Sequence, residues 1–214
     1  MFLKNYYNLV EDLHAIPVAN ADSIYAKSAK QYRTISGETT YPYVFVRGLY
    51  DYGANPKRLY PYCQIDGAIL NPGSSYAGCI TGSEEPSISY TAYEKCFLLV
   101  LGDGDAPPTL DDYYLSGNRV STLNTLQTKH TRTAKNGVST WECTLVLQNT
   151  GEGSVTIKEV CALAALANGI TYNSSRNLYA IERTVLENPV TIEPGNTGTI
   201  TYRLTTAYPT PPTE

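Results

Sequence analysis

The sequence has little of several residue types that catalytic and membrane proteins use. It contains one Met, one Trp and two His among 214 residues. Its longest dense apolar run, Cys96 to Leu101, has only the length of a strand, whereas a membrane-spanning helix needs about 20 apolar residues. His14 and His130 are far apart and have no Cys, His or Glu at ligand spacing, which argues against a zinc site. No membrane span and no metal are therefore expected.

The five cysteines form no C-x-x-C motif. Cys96, Cys143 and Cys161 lie in apolar strand patterns, where a free Cys behaves as a small hydrophobic residue. Cys63 and Cys79 flank a loop rich in Gly, Pro and Ser, so a disulfide between them stays an open alternative. A reducing compartment is the favoured interpretation.

Charged residues make up only 17% of the sequence, and the formal net charge is -4. The nearest approach to a basic cluster is Lys27, Lys30 and Arg33, and Asp22 and Glu38 flank it. Direct nucleic-acid binding is not expected, because it requires clustered Lys and Arg. The first residues lack the basic start and apolar stretch of a secretory signal, so we expect synthesis in a cytoplasm.

What is abundant favours β structure, namely 19 Tyr, 16 Gly and 13 Pro, together with many Thr. Tyr and Thr favour strands, and Gly and Pro mark turns. In the closing third, apolar and polar residues alternate strictly between turns, which is typical of antiparallel strands with one buried face. The residues expected to point inward are Trp141, Cys143, Leu145, Leu147, Val155, Ile157, Val190, Ile192, Ile200, Tyr202 and Leu204.

These patterns predict an all-β protein, an antiparallel β-sandwich of the jelly-roll or Ig-like type. We divide it into an N-terminal arm, partly helical, over residues 1–36, a sandwich over 37–206, and an extended Pro-rich tail over 207–214. The arm holds two helical patterns. The first places Leu3, Tyr6, Tyr7, Val10 and Leu13 on one face. The second, weaker pattern runs through Ile24, Tyr25, Ala29 and Tyr32.

Further strands are expected between the arm and the closing third. Residues 95–101 are apolar on both faces, as in a central strand. Residues 161–166 favour a helix by composition, but the alternation around them favours a strand. The other predicted elements are strands at 41–47, 60–70, 88–91 and 120–133, turns at 51–56 and 71–75, and a hairpin turn at Lys135-Asn136-Gly137.

Four carboxylates, at Asp103, Asp105, Asp111 and Asp112, are the sharpest candidate for a ligand site. Carboxylate oxygens suit Ca²⁺, but Pro107 falls where an EF-hand ligand should be and no Glu closes the loop. The favoured interpretation is a solvated turn in which Asp111 or Asp112 caps the return of the chain.

Other catalytic patterns are weak. Glu84 and Glu85 are adjacent in a loop, whereas glycosidase carboxyls face each other about 5–9 Å apart. Gly73-Ser74-Ser75 lacks the strand-turn-helix context of a nucleophile elbow. We therefore predict no enzyme activity and no catalytic, cofactor or metal site. A hydrolase with a site assembled only in space stays an alternative.

Tyrosine crowds the first third of the chain. A ring with a polar tip suits protein interfaces. The candidate interface residues are Tyr6, Tyr7, Tyr41, Tyr43, Tyr50 and Tyr52.

Three segments resemble a group of tailed-bacteriophage virion proteins. The first, Gly102 to Leu115, has a Gly-x-Gly turn with prolines and then Asp112-Tyr113. The second, Leu145 to Glu159, contains Asn-Thr-Gly followed by Val-Thr-Ile-Lys-Glu. The third, Arg183 to Tyr202, contains Pro-Val-Thr-Ile and Pro-Gly. The likeness covers about half of the chain and departs at residues 160–167, where a Gly is replaced by Cys161 and an Ala/Leu run.

The resemblance implies a structural component of a virion, present in repeated copies in the head decoration, the neck or collar, or the tail. Its implied partners are other copies of itself and other virion proteins. The alternative is a carbohydrate- or receptor-binding module of a phage particle, in which Asp51-Tyr52 and the loop from Asp111 to Tyr114 would contact a glycan or host receptor.

Overall fold

The computed structural model describes residues 1–15, 25–45, 77–80, 97–135, 138–168 and 176–207. Within these ranges the chain is all-β apart from one helix, which confirms the predicted class. The elements are α1 (Lys4–Ala15), β1 (Tyr25–Lys27), β2 (Tyr32–Arg33), β3 (Thr39–Thr40), β4 (Tyr43–Phe45), β5 (Ala77–Ile80), β6 (Phe97–Gly102), β7 (Leu123–Lys135), β8 (Val138–Asn149), β9 (Val155–Ala167), β10 (Arg176–Ile192) and β11 (Thr197–Ala207).

Two main sheets are formed by the described strands. The larger has the order β1-β4-β9-β6-β5, and β10 also pairs with β9. The smaller has the order β11-β8-β7, and β2 and β3 form a separate short ladder. All pairings are antiparallel except that of β5 with β6, which is parallel. The prediction of a purely antiparallel arrangement is thus wrong at this one described pair.

The core contains residues from both sheets. From the larger sheet it takes Leu99, Val160 and Tyr179, and from the smaller Leu145 and Ile200, all buried in one cluster. The alternation predicted for the closing third is confirmed: Val155 and Val190 are partly buried against this cluster, and the other described inward side chains are buried, namely Cys143, Leu145, Leu147, Ile157, Ile192, Ile200, Tyr202 and Leu204.

The turn between β10 and β11 follows from its sequence. Asn196 N–H donates to the carbonyl of Glu193 at 3.0 Å, closing a four-residue turn over Pro194 and Gly195. Gly195 has φ 75°, so the turn is of type II, which favours Pro at its second position and Gly at its third. The side chain of buried Asn149 donates to the carbonyls of Gly153 and Ile192 and joins this turn region to the start of β9.

The second predicted helical pattern is wrong. Residues 25–27 form β1, which pairs with β4, and Tyr32 begins β2. The Tyr32 ring meets Tyr179 edge to face at a centroid distance of 5.6 Å, and its hydroxyl donates to Asp12 at 2.7 Å. Tertiary contacts therefore override a weak local helix preference here.

The first predicted helix is confirmed as α1. Its predicted apolar face is confirmed in part, since Leu3 is buried and Tyr6 is partly buried against the core, while the side chains of Val10 and Leu13 lie outside those described. Asn5, Leu9 and Asp12 are buried, whereas Tyr7 is 49% exposed. Asn5 is satisfied because it donates to the carbonyls of Arg33 and Ala180, and Asp12 accepts from a tyrosine. Apolar periodicity alone could not predict this, since two of the inward residues are polar.

Two more predictions are confirmed. Leu98 to Leu101 in β6 are buried, and β6 lies between β5 and β9. Residues 161–166 are strand, within β9. Strands β7 and β8 pair down to Lys135↔Val138, and the remaining two residues of the predicted hairpin turn, Asn136 and Gly137, lie outside the described residues. The predicted elements at 51–56, 60–70, 71–75 and 88–91, the residues Cys63, Glu84 and Glu85, and the tail at 208–214 lie outside the described residues.

Candidate functional site

The chain between β6 and β7, residues 103–122, forms a loop that folds back on itself. Gly104 and the two prolines Pro107 and Pro108, which follow β6, cannot continue a ladder. Asp103 and Asn118 lie side by side at the neck of this β6–β7 loop. Asp103 N–H donates to the Asn118 carbonyl at 3.1 Å, and Asn118 N–H donates to the Asp103 carboxylate at 2.6 Å.

A buried ion cluster fixes the β6–β7 loop to the larger sheet. Arg183 of β10 is 1% exposed and Glu159 of β9 is fully buried. The Arg183 Nη1 donates to Glu159 Oε2 at 2.6 Å. Its Nε and Nη2 lie 3.0 and 2.9 Å from Asp112 Oδ2 in the loop. Nη2 also donates to the Ala106 carbonyl at 2.9 Å, so one guanidinium holds the loop at two points.

The Glu159 carboxylate also receives donors from the loop backbone. Ser116 N–H lies 3.0 Å and Gly117 N–H 2.9 Å from Oε1, and the Ser116 hydroxyl donates to Oε2. Burial disfavours the charged form of Glu159, but these donors and Arg183 outweigh it and hold its pKa below the usual range. The carboxylate therefore stays ionised at neutral pH.

Asp112 plays the capping role predicted for it. Its carboxylate accepts from the backbone N–H and the hydroxyl of Thr109, at 2.9 and 2.7 Å. Partial burial works against ionisation, but the Thr109 bonds and the Arg183 charge leave the pKa of Asp112 lower than usual. Of the two alternatives, Asp111 or Asp112, the second closes the turn.

Two glycines let the loop approach Glu159. A Cβ added to Gly104 would lie 2.3 Å from Gly117 N and 2.4 Å from Glu159 Oε1, and one added to Gly117 would lie 2.4 Å from Gly104 N. These distances are shorter than real Cβ contacts. Gly104, shortly after the end of β6, and Gly117 thus allow close packing of the loop against Glu159.

The four aspartates do not converge on a cation site. Asp103 bonds Asn118, Asp105 pairs with Lys158 at 2.9 Å, and Asp112 pairs with Arg183. Asp111 lies 3.9 Å from Lys4. Among the described residues no group of three or more His, Cys, Asp or Glu could hold a metal. Each carboxylate instead has its own partner within the protein.

A second buried carboxylate lies beside the cluster. Glu182 Oε1 accepts from the Met1 amine at 2.6 Å and from the Thr184 hydroxyl at 2.5 Å, and the Tyr202 hydroxyl donates to Oε2. Burial and the nearby Glu182 charge raise the pKa of Tyr202. This carboxylate joins the N-terminal residues, β10 and β11.

Four of the six predicted interface tyrosines, Tyr6, Tyr7, Tyr41 and Tyr43, lie among the described residues. Tyr6 is partly buried and stacks on Phe2, at a centroid distance of 3.9 Å. Tyr7 and Tyr41 are 49% and 44% exposed, and Tyr43 lies in β4 and is partly buried. Tyr50 and Tyr52 lie outside the described residues. The structure brings Tyr6 and Tyr7 together, with centroids 5.6 Å apart.

Two buried cysteines, Cys143 and Cys161, are held in the thiol form. Burial raises the pKa of Cys143 to about 12 and raises that of Cys161 as well, so both thiols stay protonated near neutrality. His14 lies in α1 and His130 in β7. The arrangement is suited to fixing a loop rather than to proton transfer, because Glu159, Asp112 and Arg183 satisfy one another.

Glu159 and Arg183 are the residues that inference from the sequence missed as a site. One signal was available, because Glu159 interrupts the apolar alternation between Val155 and Leu163. A carboxylate at an inward position needs a buried partner. The sequence could not show which cation would supply it.

Within the described ranges, no helix has the length and apolar character needed to cross a membrane. No family model, curated protein or solved structure matches this chain.

Proposed function

We propose that the protein is a structural component of a bacteriophage virion that acts through contacts between subunits. In this proposal the two sheets stack as a β-sandwich around their shared core and form a rigid body. Its position is in the head decoration, the neck or collar, or the tail. The fixed β6–β7 loop and the exposed tyrosines present surfaces to neighbouring copies and to other virion proteins.

One observation carries the proposal. The three segments that resemble phage virion proteins supply one residue each to the buried ion cluster: Asp112, Glu159 and Arg183. The three similar segments therefore meet in one cluster. In it, Glu159 and Asp112 are 24 and 71 residues from Arg183 along the chain. This cluster fixes the β6–β7 loop in one conformation. A fixed loop suits assembly, because a preorganised surface loses less entropy on binding.

The test is the composition of purified particles. In a phage whose genome encodes this chain, particles banded on a density gradient should contain it at a constant ratio to the major capsid protein, as measured by quantitative mass spectrometry. If the chain is abundant in the infected-cell lysate but absent from every particle fraction, the proposal is wrong.

The carbohydrate- or receptor-binding alternative has less support. Tyr113 was one of its candidate stacking residues, but the Arg33 guanidinium carbon lies 3.8 Å from its ring centroid. That face is already occupied by a cation within the protein. A glycan array would decide between the two roles: specific binding that is lost in Tyr113→Ala would favour the alternative.

A further inference from the structure

The edge of β10 carries the first residues of the chain. Leu3 N–H donates to the Ile181 carbonyl at 2.9 Å, and Arg183 N–H donates to the Met1 carbonyl at 3.1 Å. Phe2 forms a bridge with Glu182 between them. Leu3 is fully buried. We call residues 1–4 the N-terminal segment, and it adds to β10 as a short extra strand.

The N-terminal segment also contacts the β6–β7 loop. Lys4 N–H donates to the Leu110 carbonyl at 3.0 Å, and the Lys4 ammonium lies 3.9 Å from the Asp111 carboxylate. The loop in turn is bound to β10 by the Arg183 side chain. Each of the three parts therefore touches the other two.

Arg183 belongs to both attachments. Its backbone N–H holds the N-terminal segment, while its guanidinium holds the β6–β7 loop through Asp112 and Ala106. A buried guanidinium that loses its carboxylates must turn toward water, because an unpaired charge is costly to bury. That movement would disturb the surroundings of the Arg183 amide, which donates to the Met1 carbonyl.

We propose that the N-terminal segment and the β6–β7 loop form one cooperative clasp on β10, which opens and closes as a unit with Arg183 as the shared attachment. Opening exposes the β10 edge at residues 181–183 and the apolar site of Leu3 in one step. This inference does not depend on the virion role.

Hydrogen exchange of the full-length protein tests the coupling in both directions. Glu159→Gln weakens the loop side, and exchange is measured at the Leu3 amide, which donates to Ile181 of β10. Leu3→Ala weakens the N-terminal side, and exchange is measured at the amides of Ser116 and Gly117. The remote amides should exchange about tenfold faster or more in each variant, since coupling between two sites is reciprocal.

Two comparisons keep this test specific. Lys158→Gln removes the exposed pair with Asp105 in the same loop and should leave the Leu3 amide unchanged. The Leu145 amide, in β8, reports global unfolding. Exchange of the clasp amides counts as clasp opening only where their opening free energy is lower than that of Leu145 in the same variant.

The proposal is overturned if Glu159→Gln frees Ser116 and Gly117 while Leu3 keeps its protection, or if Leu3→Ala leaves the loop unchanged. Should Glu159→Gln fail to fold, Asp112→Asn provides the same measurement. The Asp112 side chain is 25% exposed, so its loss disturbs the core less.

Discussion

At the scale of single residues, the pairing of Glu159 with Arg183 has the largest consequence for stability. Glu159→Gln keeps the size of the side chain but leaves Arg183 buried without its closest counter-charge. Removing one partner of a buried ion pair costs about 3–5 kcal/mol. We expect a loss of that size in the free energy of unfolding, measured by urea denaturation.

The matched control for this substitution is the preceding residue. Lys158→Gln removes an exposed pair with Asp105, and such pairs contribute about 1 kcal/mol or less. Equal losses in the two variants would show that the buried cluster has no special energetic role.

The same cluster predicts how stability depends on pH. The pKa of Glu159 and that of Asp112 are lowered in the folded protein, so each stabilises the fold above its unfolded pKa, near 4. That stability is lost as the pH falls through the lower, folded values. The denaturation midpoint should change little from this cause between pH 7 and 5 and decline below about pH 4.

In Glu159→Gln this acid decline should be smaller, because one of the linked carboxyls is gone. Glu152→Gln, which alters an exposed carboxyl in the β8–β9 turn, should keep the full decline. If the denaturation midpoint of Glu159→Gln declines at low pH as much as that of the unmodified protein, other groups cause the decline.

At the scale of elements, the β6–β7 loop depends on backbone approach that only glycine permits. Gly104→Ala would place a Cβ 2.2 Å from the Ser116 hydroxyl and 2.4 Å from the Glu159 carboxylate. Overpacking of this kind typically costs about 1–3 kcal/mol. We expect a lower thermal midpoint, with faster exchange at Ser116 and Gly117.

Gly153→Ala is the control for this prediction. Gly153 lies in the β8–β9 turn and has nothing within 4 Å of an added Cβ, so its midpoint should stay close to that of the unmodified protein. If Gly104→Ala is equally harmless, the loop is less tightly packed against β9 than its geometry indicates.

The elements also differ in how well the sequence predicted them. Strands β8 and β11 were predictable because one face is apolar and the other polar, as with Leu145 beside Thr144. Helix α1 was predictable as a helix but only in part in its buried face, because Asn5 and Asp12 face inward through hydrogen bonds to distant residues. Such partners are fixed by tertiary structure and leave no local periodic signal.

The candidate site was less predictable than the strands. Asp112 was predicted as one of two alternative turn caps, and Glu159 interrupts the apolar alternation. Their convergence on Arg183 joins residues far apart in the chain, and no spacing rule in the sequence encodes it. The parallel pairing of β5 with β6 is likewise a choice of topology, which apolar runs alone do not determine.

At the scale of the whole molecule, the proposed role predicts that an exposed tyrosine matters more for assembly than for folding. Tyr7 is 49% exposed, so Tyr7→Ser should change the thermal midpoint little. A tyrosine at the centre of an interface contributes about 2 kcal/mol or more, equivalent to roughly 30-fold in affinity. Its loss should therefore sharply reduce the amount of this chain in purified particles, measured by quantitative mass spectrometry.

Leu126→Ser, at a 52% exposed side chain on β7, tests whether any loss of exposed apolar surface has that effect. Normal incorporation of a folded Tyr7→Ser protein would remove Tyr7 from the interface, and equal losses in both variants would show that the effect is not specific to α1.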